Sequence, residues 1–392
     1  MKIALVLSSA PSYSETFFNA LIDGLKSNGH DVNLFTGSDS STYMACTHIK
    51  NPGIHRLRVI QILNMMYHFI ILVPYFKVVK RFFYLEKRKG TPHKRIIEKI
   101  YLNAALLKFK GEWVHFGFAT TALEREMVPL AIRAKMAVSF RGYDINVYPL
   151  KHQNCYTTLW NQVDKVHSIS NFLLLKAYSL GLKKETKFKI ISPAIDFKNR
   201  PEINLQSNTT KFKITTIARF NWIKGLDYLT EIASRLKTAG FEFEWTLIGD
   251  NNSSEKERFL FEIKEKSLEN YIKLQGQCSH EDTLAVLKNS DVYIQTSLME
   301  GFCNAVLEAQ FMGIPTIAFR VGGLPENISN HKTGWLIEPY DLTEMKDMII
   351  AVSKLSTEKR VEIGQNAINR VVQNFNMEQQ KEAFQEFYTN DF

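Results

Sequence analysis

Short apolar runs alternate along the chain with segments whose apolar positions recur every three or four residues. The runs at 3–7, 31–35, 113–116, 136–140, 166–170 and 189–191 predict one series of β-strands, and those at 212–218, 243–248, 272–275, 292–295 and 316–319 predict another. The periodic segments at 15–27, 226–238, 255–266, 281–288, 305–312, 342–355 and 377–388 predict helices. Strands alternating with helices imply α/β architecture with parallel, doubly wound sheets. The first run reads as a buried strand rather than a signal peptide, because it is short and no cleavage site follows it.

The two series are separated at 192–210 by a stretch holding Pro193, Pro201 and several Asn and Ser, which reads as a linker. A chain of 392 residues suits two domains, placed at 1–195 and 211–376, with the helix at 377–392 expected to pack back on the first. Two such domains in tandem are expected to face each other across a deep cleft, with ligands at the carboxyl ends of the strands. Hydrophobic content of 45% and charge of 23% exclude a disordered chain. Cys46, Cys155, Cys278 and Cys303 are scattered without metal-ligand spacing, the usage of a reducing compartment, so a cytoplasmic location is expected.

Charge is unevenly placed. Residues 50–110 hold 14 Lys and Arg against 2 Glu, an excess larger than the +9 of the whole chain. The apolar stretch 60–73 inside this region is interrupted by Gln61, Asn64 and His68 and followed by Pro74, too short and too polar to span a bilayer. Lys77, Lys80 and Arg81 then mix with Phe82, Phe83 and Tyr84, which suits docking on an anionic membrane surface. The ordinary alternative is a core-facing helix with a solvated basic flank. No nucleic-acid motif accompanies the charge, and no nucleic acid is expected as a partner.

The densest chemistry lies in Glu300-Gly-Phe-Cys-Asn-Ala-Val-Leu-Glu308. Gly301 makes a tight turn, Asn304 is expected to cap a helix, and Glu308 rides on that helix. Two carboxylates flanking a helix start, with its free N–H groups, suit a ligand bearing hydroxyls at both ends and phosphate between, such as a nucleotide sugar. A strand-loop-helix junction with two solvated glutamates is the plain alternative. Arg219 and Lys224 follow the first strand of the second series and supply two cations for a diphosphate.

Arg219, Lys224-Gly225, Glu300-Gly-Phe, Glu308, Gly322-Gly323 to Glu326 and Thr333-Gly334-Trp-Leu together resemble retaining glycosyltransferases of family four, with the GT-B fold. Ser14-Glu15-Thr16-Phe17, Val114-His115-Phe116-Gly117 and Ser139-Phe140-Arg141-Gly142-Tyr143-Asp144 resemble the exopolysaccharide branch of that family. The resemblance implies that Glu308 holds the ribose, that Glu300 holds hydroxyls of the donor sugar, and that Arg219 and Lys224 bind the diphosphate. It also implies backbone donors from Gly301, Phe302 and Asn304, and a base lying against the stretch around Cys278.

On the acceptor side the resemblance points to His115, Asp144 and Ser14; His115 could equally be a satisfied histidine at a strand end, and Ser14 could equally cap the first helix. The family usually has His where this chain has Arg141, and an arginine cannot act as a general base. Arg141 is therefore expected to stabilise the leaving phosphate or grip an anionic acceptor. No Asp-x-Asp occurs, so neither metal nor cofactor is expected; the donor is expected to be a UDP-sugar and the acceptor lipid-linked or a glycan. A nucleotide-sugar epimerase of similar architecture and a non-catalytic nucleotide-sugar-binding protein are the rivals.

Overall fold

A computed structural model of the chain describes residues 1–11, 16–37, 43–195, 211–249 and 254–390. Ser14, Asp196 and most of the expected linker lie outside the described residues. The chain divides into two units, Met1–Ser192 with Glu378–Phe392, and Pro193–Met377.

In the first unit the strands are β1 (Lys2–Val6), β2 (Asp31–Thr36), β3 (Thr47–Lys50), β4 (Trp113–Phe116), β5 (Lys135–Phe140), β6 (Lys165–Ser168) and β7 (Lys187–Ile190). They pair in parallel in the order β3-β2-β1-β4-β5-β6-β7. The second unit contains β8 (Phe212–Ile217), β9 (Phe243–Ile248), β10 (Ile272–Gly276), β11 (Val292–Gln295), β12 (Thr316–Phe319) and β13 (Trp335–Ile337), parallel in the order β10-β9-β8-β11-β12-β13. Both sheets are doubly wound and Rossmann-like, the GT-B type of unit. Strand order reverses between β1 and β4 in one and between β8 and β11 in the other. Those two reversals are where such sheets bind ligands. The fully buried strands β4, β6, β11 and β12 explain why they read as continuous apolar runs.

The last helix, Met377–Thr389, completes the first unit by burying Phe384, Phe387 and Tyr388 with Ile3, Leu5 and Phe17. Lys165, only 1% exposed, reaches its end and donates to the carbonyls of Phe387 and Asn390 at 2.7 and 2.6 Å. A buried ammonium there satisfies carbonyls that the helix itself leaves open.

Under this helix runs a line of buried polar groups across three neighbouring strands. His115 on β4 and His167 on β6 each contact Ser139 Oγ on β5 at 2.7 Å. His115 also contacts the Tyr388 hydroxyl, and His167 Nε2 lies 3.0 Å from the Ile191 carbonyl. One set of neutral tautomers satisfies every contact: Tyr388 donates to His115 Nδ1, His115 Nε2 to Ser139, Ser139 to His167 Nδ1, and His167 Nε2 to Ile191. His115 is thus fully buried with both ring nitrogens occupied, and the expectation that it faces an acceptor is corrected.

Between β3 and β4 the chain forms the helices Arg58–Leu72 and Phe76–Arg88, followed by His93–Leu102. Pro74 does not stop the run. It sits in a single 3₁₀ turn, Val73–Tyr75, that relays one helix into the next, a position where a missing N–H costs little. Not all of the basic excess is exposed, since Lys99 is buried against Glu86 at 2.8 Å.

Burial drives the pKa of both histidines down, His115 well below 6.5 and His167 to about 3. The unfolded chain therefore binds protons that the folded unit refuses as pH falls from about 6.5 toward 3. Stability should drop through that window by up to roughly 1.4 kcal/mol per pH unit for each histidine. Urea midpoints measured from pH 7 to 4 should show this fall, and His167→Gln should flatten it. Equal slopes in the two proteins would mean that the fold accepts the proton.

Candidate active site

The loop after β11 carries Glu300 to the edge where strand order reverses, and the loop after β8 brings Lys224 to meet it. Lys224 Nζ donates to Glu300 Oε1 at 2.5 Å, and the two side chains are 18% and 10% exposed. Ser297 Oγ donates to the same oxygen at 2.7 Å, and Gln295 Nε2 approaches it at 3.5 Å. Gln295 also donates to Ser297 Oγ at 2.6 Å while accepting from the Tyr293 hydroxyl at 2.5 Å. The three contacts that Glu300 receives from Lys224, Ser297 and Gln295 all fall on Oε1. Burial alone would lower the pKa of the Lys224 ammonium, but the Glu300 carboxylate outweighs it and raises it. Arg219 is exposed and close enough for its charge to act on Lys224.

Backbone geometry fixes both loops. The Lys224 carbonyl accepts from Thr296 Oγ1 at 3.1 Å, and Leu298 N donates to the Ile223 carbonyl at 2.8 Å. Gly322, at φ +55°, lies so close that a Cβ there would sit 2.1 Å from the Glu300 carbonyl. Gly323 N donates to that carbonyl at 2.9 Å. Asn327, fully buried, accepts from Cys303 N at 3.0 Å and donates to the Cys303 carbonyl at 3.1 Å. Its amide spends one N–H of the stretch expected to face phosphate.

The helix Asn304–Phe311 begins as expected, but its N-cap is Cys303, not Asn304, which is an exposed first-turn residue. Gly301 and Phe302 are buried, and the Phe302 ring packs against Phe375 with centroids 5.4 Å apart. Burial and the nearby Glu300 charge push the Cys303 thiol up to about 12, so it is a packing residue. Glu308, on the same helix, meets His280 Nε2 at 3.2 Å. His280 opens the helix His280–Lys288, capped by Ser279, and the hydrogen bond to Glu308 raises its pKa. Cys278, two residues earlier, lines a polar groove of about 550 Å³ with Gln277 and Ser279. The buried Tyr293 hydroxyl feels both Glu300 and Glu308, which places the two carboxylates around one strand.

Sequence reasoning missed Ser297, Gln295, Asn327 and His280. Ser297 was findable, being three residues before Glu300 at a strand end; Asn327 was not, since only the fold brings it to Cys303.

The remaining expected residues belong to the first unit. The Arg141 guanidinium lies 3.7 Å from the Phe17 ring centroid and 4.8 Å from that of Phe18. Asp144 is corrected from an acceptor contact to a loop organiser. It is 1% exposed, and its carboxylate accepts from Ala119 N at 2.9 Å and Arg141 N at 2.8 Å. Burial pushes it up to about 6 against those bonds.

At its reversal point the second doubly wound unit gathers a carboxylate, an ammonium and a guanidinium, a set whose chemistry suits sugar hydroxyls and phosphate. Residues 198–370 match the family model described as glycosyl transferases group 1, and the second unit is a domain of that family. The chain is 27% identical over 304 residues to a putative colanic acid biosynthesis glycosyltransferase, WcaL, of Escherichia coli K12, covering 74% of each protein. It is 26% identical over 253 residues to the amylovoran biosynthesis glycosyltransferase AmsK of Erwinia amylovora, covering 62% of this chain and 60% of that one. Among solved structures it resembles a glycosyltransferase from Rickettsia africae, with TM-score 0.70, 19% identity and coverage of 100% and 99%. Anabaena HepE in complex with UDP-glucose is similarly close, with TM-score 0.71, 16% identity and 99% of both chains covered.

Lys224→Met should destabilise the second unit by about 3 kcal/mol, because it strands a desolvated carboxylate. Lys224→Met combined with Glu300→Gln should recover much of that loss in urea denaturation. A single-variant loss below about 1 kcal/mol would mean that the pair is screened like a surface ion pair.

Proposed function

We propose that this protein is a retaining, metal-independent hexosyltransferase of exopolysaccharide, capsule or lipopolysaccharide assembly. It moves a sugar from a UDP-sugar to a lipid-linked or polysaccharide acceptor, in the cytoplasm at the inner face of the cell membrane. The observation that carries this reading is the Lys224–Glu300 contact at the reversal point of the second sheet. The named roles of WcaL and AmsK support the pathway, and the HepE complex supports a UDP-sugar donor. The exposed basic and apolar helices of residues 50–110 support docking on an anionic membrane.

Lys224 has three N–H donors and spends one on Glu300, so the others can meet the diphosphate alongside the Arg219 guanidinium. Glu300 Oε2 accepts a hydroxyl of the donor sugar, and Glu308 accepts the ribose hydroxyls. As the bond from the sugar anomeric carbon to phosphate oxygen breaks, the pair of cations holds the charge left on the diphosphate. The acceptor hydroxyl attacks from the same face, and its proton passes to the departing phosphate oxygen. Positioning and charge stabilisation then suffice without an enzymic nucleophile. Arg141, the cation at the end of β5, is assigned to an anionic group of the acceptor.

Glu300→Gln keeps the shape of the side chain and should lower kcat by about 10²–10³. UDP affinity measured by calorimetry should stay nearly unchanged, because the lost contact is to the sugar. Wild-type turnover in that variant would remove the basis of the assignment, and rapid isomerisation of UDP-sugar without any acceptor would replace it with the epimerase reading.

A further inference from the structure

Among the described residues one helical run, Arg58–Arg88, is long and apolar enough to cross a membrane, and only 6% of its most apolar window is buried. One side of it is tied to the first unit. Asn64 Nδ2 donates to the Tyr101 hydroxyl at 3.0 Å, Arg81 Nη1 to the Ala131 carbonyl at 2.6 Å, and Leu72, Phe82 and Glu86 are buried. A helix fastened near both ends to its own unit cannot thread a bilayer without breaking those contacts. It can lie in the plane of the interface.

The free side carries Val59, Leu63, Met66, Ile70 and Val73, each more than half exposed, at spacings of four and three. Such a stripe could also seat a second copy. Charge decides against that. Arg56 and Arg58 flank one end, Lys77 and Lys80 the other, and residues 51–85 contain no Asp or Glu. Parallel or antiparallel pairing would therefore set cation against cation, whereas an anionic lipid surface accepts both the stripe and its flanks.

At the turn through Pro74 this face is concave. Phe69, Val73, Phe76, Val79 and Phe83 wall a shallow, open groove of about 400 Å³, and Lys80 is the one charged side chain in the wall. Val73 and Phe76 belong to both the groove and the exposed face, so a docked membrane would seal the groove. An apolar hollow facing hydrocarbon is poorly filled by water, which lacks polar partners there, and left empty its walls forfeit contact. We propose that the groove holds one acyl chain of an anionic phospholipid of the docked bilayer, with the Lys80 ammonium on its phosphate. This rests on the membrane docking described above and names the chemistry that the docked surface selects.

The test uses the full chain and vesicles of phosphatidylcholine and phosphatidylglycerol, with a diazirine placed on the chain of either phosphatidylglycerol or a polyprenyl phosphate. Photolabel should map to residues 69–83. Val79→Trp, which fills the groove, should lower that labelling about tenfold while leaving vesicle flotation intact. Labelling of residues 69–83 by the phosphatidylglycerol probe supports the groove, and labelling there by the polyprenyl phosphate probe alone overturns a bilayer source. Label confined to residues outside 69–83, or unchanged in Val79→Trp, overturns it. So does a stable dimer that shields the stripe without vesicles, and so does a wild-type chain that fails to float. Flotation and labelling need no sugar donor, so their failure is distinct from failure of the transferase reading, which the Glu300 variant reports.

Discussion

A carboxylate held out of water at a strand end needs a cation, and at the edge of the second sheet that cation is Lys224. Glu300 is 8% exposed, and its Oε1 collects an ammonium, a hydroxyl and an amide. Desolvation makes each of these contacts strong and makes the loss of any one expensive. The surrounding loops are shaped to keep the pair together. Gly322 allows backbone to approach the Glu300 carbonyl, and Gly225, in a left-handed turn at φ +61°, lets Lys224 pass under Thr296. The charge that a diphosphate would meet is thus fixed before a ligand arrives, which is what electrostatic preorganisation requires.

The first unit solves a different problem with the same sheet order. Its central strands β4, β5 and β6 place His115, Ser139 and His167 on one face, Ser139 level with His167 and two residues beyond Ala137, the partner of His115, and the C-terminal helix covers them. Neutral histidines let a polar line cross a dry interface with every donor matched. Phe17 stacks on His167 and Phe384 packs edge-on against it, with centroids 5.7 and 4.9 Å away. Arg141, stacked on Phe17, adds positive charge that further discourages protonation of both rings.

What the amino-acid pattern disclosed and what it hid follow from range. Central strands were legible because burial on both faces makes them apolar runs, whereas β3 is a half-exposed edge and β13 only three residues long. The basic pair and the two glutamates were legible because each stands at a strand end or on the helix after one. His115 stayed open between an acceptor contact and a satisfied histidine for the same reason, and the structure has the second. It too stands near a strand end, but its occupant, Tyr388, is 273 residues away and cannot be seen locally. The cap of Asn304–Phe311 was misassigned because Asn is the better intrinsic cap, and the tie from Asn327 to Cys303 overrides that preference by setting where the helix starts.

The loops at the carboxyl ends of the two sheets therefore differ in kind although the sheets do not. At β8 and β11 the loops deliver Arg219, Lys224 and Glu300, a set that can hold phosphate and sugar. At the end of β5 the loop delivers one guanidinium on a shelf of phenylalanines, and Asp144 is spent on backbone N–H groups. Among the described residues that arrangement offers a cation and apolar area but no second acidic or nucleophilic group to act on a bond. The same unit carries the outward apolar helices and the basic excess. The cluster of opposed charges thus lies in the second unit, while the first presents a lone guanidinium on aromatic rings and outward apolar helices.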